Sequence, residues 1–396
     1  MKGVAGRLDG HVTGTLRGTA PLDILTRSRL ELVGTIDGLE LPQIERRITE
    51  AKLHATLDPD RRESFKLVAD ARAGDRPLTL TAFGGSIGTL AENRGEYPFT
   101  INAELGKNEI EVNGTMTLPL TERIFSARIK AKGPDPSPIL ALFELPKLQF
   151  PPYRLTGTLA THGSEIRLSD FDGHVGDSDV AANLVLTDAG ERPKVAGTVR
   201  SKVLDADDLG GLVGGTPGTG PGETASTGEK NEAKQIAAKP TVLPDEPIDP
   251  TRWRKFDVDL DLRADKVQAG KVPLDGFSGK LTVDDGLLVL DDMNLAVGEG
   301  SVTGRLQADG RKAPVSTDLA LDVRRISVAR LLNRLDVDIG TFGVLSGSAR
   351  GGVGVGGQGF SIKEMLARSN GKVELLMEGG QIDRTIVAGL GLDLLR

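Results

Sequence analysis

Apolar and polar residues alternate with a period of two along nearly the whole chain. In "FDVDLDLR" (256–263), Asp257, Asp259 and Asp261 are separated by Val258, Leu260 and Leu262. The same spacing runs through Leu30, Leu32, Gly34 and Ile36, through Phe65, Leu67, Ala69 and Ala71, and through "FTINAEL" (99–105). It continues in "IEVNGTMTL" (110–118), "FSARIKA" (125–131), "VAANLVL" (180–186), "LALDVR" (319–324) and "VELLM" (373–377). Successive side chains of a strand point to opposite faces, so each run predicts a strand with one dry face and one wet face. That pattern suits an antiparallel sheet wetted on one side. Glycines inside the runs, Gly34, Gly114, Gly157, Gly197 and Gly304, predict bulges or tight bends, and hence a twisted, curved sheet.

The alternation is also repeated on a longer scale. Residues 155–184, moved forward by 122, fall on 277–306 without a gap. Leu155/Phe277, Gly157/Gly279, Leu168/Leu290, Asp170/Asp292, Val175/Val297, Val180/Val302 and Leu184/Leu306 are among the matched positions. Each copy reads as three short strands and two turns, a body that grows by adding strands at an open end.

Composition narrows the function classes. The chain of 396 residues carries a net charge of −7 and no block of Lys or Arg, which argues against a nucleic-acid partner. It has no cysteine, which excludes thiol catalysis, disulfides and cysteine-ligated zinc. Aromatics make up 4% of it, so its apolar surface rests on Leu, Val, Ile and Ala. No stretch approaches 18 consecutive apolar residues, and Met1-Lys2-Gly3 lacks the apolar core of a signal peptide.

Residues 210–250, rich in Gly, Pro, Thr, Glu and Lys, have no periodicity and read as a flexible, disordered linker between segments 1–209 and 251–396. Short helices are expected at 135–145, at 327–335 after the cap Ser327, at 361–368 with the capping box Ser361/Glu364, and at 383–395.

Candidate chemistry is sparse. "GVGGQG" (354–359) matches G-x-G-x-x-G and has Glu374 downstream, so an NAD-type enzyme resting on Gly354, Gly356 and Gly359 is one reading. The other reading is a Gly-rich turn between strand and helix. The chain shows no alternation of strands with long helices to build a parallel cofactor sheet. His11, His54, His162 and His174 have no metal-ligand spacing, and His162 and His174 read as exposed turn residues. Asp284-Asp285 and Asp291-Asp292 flank "GLLVL" and read as turn acids. No enzyme constellation, cofactor site or metal site emerges, and a non-enzymatic role is expected. The dry face itself remains. It is either the core of a sandwich closed by a second sheet or a partly uncovered trough for acyl chains, where each buried CH₂ gains about 0.8 kcal/mol.

Several segments resemble the AsmA family of Gram-negative envelope proteins. They are "YPFTINAELGKNEIEVNGTMTLPL" (97–120), "PPYRLTGTLATHGSEIRLSDFDGHVGDSDV" (151–180), "RISVARLLNRL" (325–335) and the run 259–306 that contains "VPLDGFSGKLTVDDGLLVL". The resemblance extends from about residue 50 to the end. It implies a periplasmic protein of the repeating β-groove type, anchored in the inner membrane by an N-terminal helix that this sequence does not contain. It also implies a role in outer-membrane assembly, through transport of phospholipid or through protein targeting to the membrane. The expected fold is mainly β: an elongated, curved antiparallel sheet of repeated meanders around an open apolar groove. The expected lining is Val258, Leu260, Leu262, Leu281, Val283, Leu288, Leu290, Leu319, Leu321, Val323, Val373 and Leu375. The expected ligands are the acyl chains of phospholipid or a lipid A-type molecule. The alternative is a scaffold that receives strands of outer-membrane proteins at its sheet edges.

Overall fold

The computed structural model describes residues 5–20, 26–41, 44–61, 63–118, 124–140, 151–187, 192–209, 224–237, 253–269, 272–297, 299–327 and 348–378, with 24, 219 and 250 besides. The chain forms two compact units. The first comprises residues 1–176 with 224–230, and the second comprises 177–223 with 231–396.

Unit 1 is a ten-strand meander: β1 (Ala5–Thr15), β2 (Arg29–Leu41), β3 (Ile44–Leu57), β4 (Phe65–Ala73), β5 (Arg76–Gly84), β6 (Gly95–Leu105), β7 (Asn108–Leu118), β8 (Phe125–Gly133), β9 (Tyr153–His162) and β10 (Glu165–Val175). Each strand pairs antiparallel with the next, from β1 to β10. Turns with glycine in the left-handed region, such as Gly74, Gly106 and Gly163, allow such short returns.

Unit 2 holds β11 (Ser178–Thr187), β12 (Lys194–Asp205), β13 (Asp257–Ala269), β14 (Val272–Leu274), β15 (Gly276–Asp284), β16 (Leu287–Val297), β17 (Gly300–Asp309), β18 (Val315–Ser327), β19 (Ser348–Gly359) and β20 (Asn370–Glu378). From β15 to β20 each strand again pairs antiparallel with its successor, and β15 also pairs with β13. One pair departs from the expected pattern: β12 and β13 run parallel, in register from Lys194/Asp257 to Asp205/Gln268. Parallel neighbours need a long crossover, and residues 206–256 supply it. The wet face ties this junction together. Arg192 Nε donates to Asp257 Oδ1 at 3.0 Å, and Asp259 lies between Lys280 (3.2 Å) and Lys194 (3.7 Å). The alternating acids of "FDVDLDLR" thus face cations on adjoining strands.

The 122-residue repeat is realised strand for strand. β10 becomes β16 and β11 becomes β17 with identical offsets at both ends. The bulge repeats too: register slips between Ser169 and Asp172 in β10, and between Leu290 and Met293 in β16. The residues absorbing the slip are Asp170 and Asp292, at φ 50° and 48°. Glycine was the expected bulge residue, but Gly157 and Gly279 lie on β9 and β15, opposite the slips. Aspartate tolerates the left-handed region better than most side chains, and an αL residue is what a bulge of this kind requires. Asp291 and Asp292 therefore belong to a bulged strand, not to a turn, whereas Asp285-Gly286 does form the turn between β15 and β16.

Helices are short: α1 (Ile87–Glu92), α2 (Ser137–Leu140), α3 (Thr227–Ala237) and α4 (Ile362–Ala367). Ser361 caps α4, with Glu364 N–H donating to Ser361 Oγ at 3.2 Å, while Glu364 Oε2 accepts from Phe360 N–H at 3.0 Å, one residue before the cap. Ser327 is the last residue of β18. The rest of the expected helix 327–335 and the whole of 383–395 lie outside the described residues. The segment 210–250, expected to lack structure, contains α3. Its start is a reciprocal cap: Ser226 N–H donates to Glu229 Oε2 at 2.8 Å and Glu229 N–H to Ser226 Oγ at 3.2 Å. That S-x-x-E signal was masked by the Gly/Pro-rich composition around it.

Candidate functional site

Cross-strand register decides which side chains share a face, because directly opposed residues point the same way. In unit 2 the middle row runs Leu260, Leu281, Leu290, Leu306, Leu319 and Val355, each opposite the next. Parallel to it runs Val258, Val283, Leu288, Ala308 and Thr317. A third row holds Met293, Gly304, Leu321, Val353 and Val373. Leu262 opposes Gly279, while Val323 opposes Val302 and Gly351, and Gly351 opposes Leu375. All twelve residues named from the sequence therefore fall in register on one face. The bulge at Asp292 keeps Met293 on that face despite the odd spacing from Leu290.

Exposure along the face is uneven. Val283 is buried, Leu260, Leu281, Leu290, Leu319 and Leu321 are half-buried, and Val373 is 67% exposed. The described strands of unit 2 all belong to one sheet, so a sandwich closed by a separate second sheet is not what forms among the described residues. At one rim the face is filled by the protein itself. Met365 of α4 packs with Ala308 and Val315, and Trp253 and Leu288 close on the same cluster. α4 approaches because β19 is glycine there: a Cβ on Gly359 would stand 2.6 Å from the Met365 backbone nitrogen. The short helix 361–368 thus closes one rim of the face and does not lie along it.

Unit 1 carries the same three rows, which the sequence reading did not name as a site. One is Leu32, Ala55, Leu67, Ala82, Ile101, Val112, Ile129 and Gly157. Its neighbours are Leu30, Leu57, Phe65, Gly84, Phe99, Gly114, Ala127 and Leu159, and Gly34, Leu53, Ala69, Leu80, Ala103, Ile110, Ala131 and Leu155. None of these residues is charged. A fourth, shorter row, Tyr97, Met116 and Phe125, borders them. There the face deepens into a cleft of about 570 Å³, lined by Phe65, Gly84, Tyr97, Phe99, Ile101, Met116, Ile124, Phe125 and neighbours. The cleft draws five of the chain's fourteen aromatic residues into one place. Tyr97 is 4% exposed, its hydroxyl donates to the Gly85 carbonyl at 3.2 Å, and burial pushes its pKa up.

The polar groups lie elsewhere. The Arg192 guanidinium holds Asp257 below the usual carboxylate range, and Lys280 does the same for Asp259. Asp309 is lowered to about 2 by Arg311. Asp208 is the exception: burial raises it to about 6, although Ser178 Oγ, Ser178 N–H and Asp177 N–H all donate to its Oδ2 at 2.6–3.0 Å. His162 opposes Glu165 and His174 opposes Arg154, at opposite ends of the β9/β10 pair, so the two histidines are not brought together. "GVGGQG" lies within β19, between β18 and β20. It is extended strand throughout, not the strand–turn–helix that a dinucleotide phosphate needs and not the Gly-rich turn of the other reading.

A family model described as the AsmA family matches residues 28–395. The chain belongs to the AsmA family. One AsmA relative, the AsmA family protein YhjG of Escherichia coli (strain K12), is 27% identical over 381 residues, covering 94% of this chain and 54% of the relative. The chain thus spans about half the length of the curated relative it matches. No solved structure matches this AsmA chain. Among its described residues no helix is long and apolar enough to cross a membrane.

Proposed function

We propose that this AsmA-family chain is a non-enzymatic protein of the periplasm, tethered to the inner membrane, whose apolar face binds or conducts phospholipid acyl chains in outer-membrane assembly and lipid homeostasis. One observation carries the reading: three uncharged rows run in register across successive strands of each unit, with no separate second sheet among the described residues. A tail lying on such rows loses its contact with water at about 0.8 kcal/mol per CH₂, and a step of one strand along a row meets a similar surface. Headgroups remain in water, so no catalytic group is required.

The test is native mass spectrometry of the purified protein beside Leu321→Glu, which places a charge in the third row of unit 2. Phospholipid adducts on the wild type and fewer on the variant are expected. No adduct on either protein sinks the reading. A second reading, a scaffold for outer-membrane proteins, is favoured by β1, whose outer edge has no partner among the described residues and whose Leu8 and Val12 are exposed. It predicts crosslinks from client strands to β1 and none to Leu319 or Leu321.

A further inference from the structure

The 122-residue repeat puts Thr161 on Val283, so the row Tyr97–Met116–Phe125–Thr161 of unit 1 and the row Val283–Leu288–Ala308 of unit 2 share one repeat position and run from it to opposite sides of the repeated strand. In unit 2 the row is covered by Met365 and Trp253. In unit 1 the row runs to the other side of the repeated strand, over β8, β7 and β6, and there it borders the open aromatic cleft. We propose that this cleft, walled by Phe65, Tyr97, Phe99, Met116 and Phe125, is a seat that holds a single acyl tail, whereas the rest of the face only passes tails along. The proposal rests on the acyl-chain reading above and adds to it a fixed resting point.

The occupant follows from what the cleft lacks. Its lining offers two side-chain hydroxyls, those of Tyr97 and Thr117, and the Tyr97 hydroxyl is already committed to the Gly85 carbonyl. The backbone groups of β5 to β8 are consumed by ladders on both sides. A peptide segment entering here would bury N–H and C=O groups with nothing to pair them, which is costly. An acyl tail carries no such groups. The volume of about 570 Å³ falls in the range of ligand pockets, and deep ring walls surround a tail on more sides than the flat aliphatic rows do. Gly84 keeps the cleft deep, because a Cβ there would collide with the Tyr97 hydroxyl.

Trp253 is the only tryptophan in the chain, which permits a site-resolved test. Phe99→Trp and Leu319→Trp are each made in a Trp253→Phe background. Both proteins are titrated with a long-chain fatty acid brominated near its methyl end, since bromine quenches indole emission on contact. Saturable quenching is expected in the F99W protein at a concentration about tenfold lower than in the L319W protein. Equal midpoints, or a lower one at L319W, would overturn the seat and leave face-wide binding standing. Absence of quenching in both overturns the seat as well, and phospholipid adducts in the mass spectrum then decide whether the broader reading survives. If the F99W protein fails to match the wild-type circular dichroism spectrum, Met116→Trp places the reporter on the adjoining wall, with the same outcomes.

Discussion

The row that ends at Thr161 in unit 1 and the row that holds Val283 in unit 2 share one repeat position, run from it to opposite sides of the repeated strand, and meet different surroundings. In unit 2, Met365 is 7% exposed and Val315 1%, and the rim is packed like a small core. In unit 1, Phe99 is half-buried and Phe125 half-buried, and the rim stays open. The same strand pattern therefore supports either a closed rim or a receptive one, and the choice lies with residues outside the repeat. Trp253 and α4 make it in unit 2.

The largest expected effect tests that contrast directly. Met365→Ala should cost about 2–5 kcal/mol in urea unfolding, because it opens a cavity among Val315, Ala308 and Trp253. Phe99→Ala should cost less than ~2 kcal/mol, since its ring is only partly buried, while reducing lipid adducts more than Met365→Ala does. The reverse order would show that the open rim is the structural one.

Unit 2 also begins with a feature that sharpens the contrast. Asp208, in the turn Ala206–Leu209, grips the start of β11 through Ser178 and Asp177. Its pKa is raised to about 6, above the ordinary value of 3.8. A raised carboxyl favours the folded state most at low pH. Its contribution is complete below about pH 4 and is lost as pH rises through about 6, a change on the order of 2–3 kcal/mol. Asp208→Asn mimics the protonated acid, so its urea midpoint should vary less between pH 4 and pH 7 than the wild type's. An unchanged slope would place the titration elsewhere.

The bulge aspartates should behave alike in the two units. Asp170→Val and Asp292→Val force a β-branched side chain into the left-handed region at φ near 50°, at an expected cost of about 1–2 kcal/mol each in thermal unfolding. Markedly unequal costs would show that the repeat is geometric without being energetic. The smallest effect belongs to Arg192→Ala. Its contacts with Asp257, Asp284 and Asp285 are partly exposed, so a small loss that fades with added salt is expected in urea unfolding.

Much of the fold was legible because period two is a property of the strand itself. Leu260, Leu281, Leu290 and Leu319 could be placed on one face from spacing alone, and register joined them into a row. The repeat, with the ends of β10 and β11 recurring in β16 and β17, was legible for the same reason. The parallel β12/β13 pair was not, since the alternation is identical in either direction and only the crossover through 206–256 sets the sense. Nor was α3, whose Ser226/Glu229 cap lies in a segment with the composition of a linker. The unit 1 cleft was missed because its lining comes from six successive strands, β4 to β9, and no single stretch shows that Phe65, Phe99 and Phe125 converge.

Alternation by itself thus determined that this chain makes sheets with one uncharged side, because side-chain direction in a strand depends only on position along the backbone. Tertiary structure alone decided where that side is filled and where it stays open. Covering a row takes side chains delivered from distant segments, as Trp253 and Met365 are delivered to Ala308 and Val315, and local periodicity carries no record of such meetings.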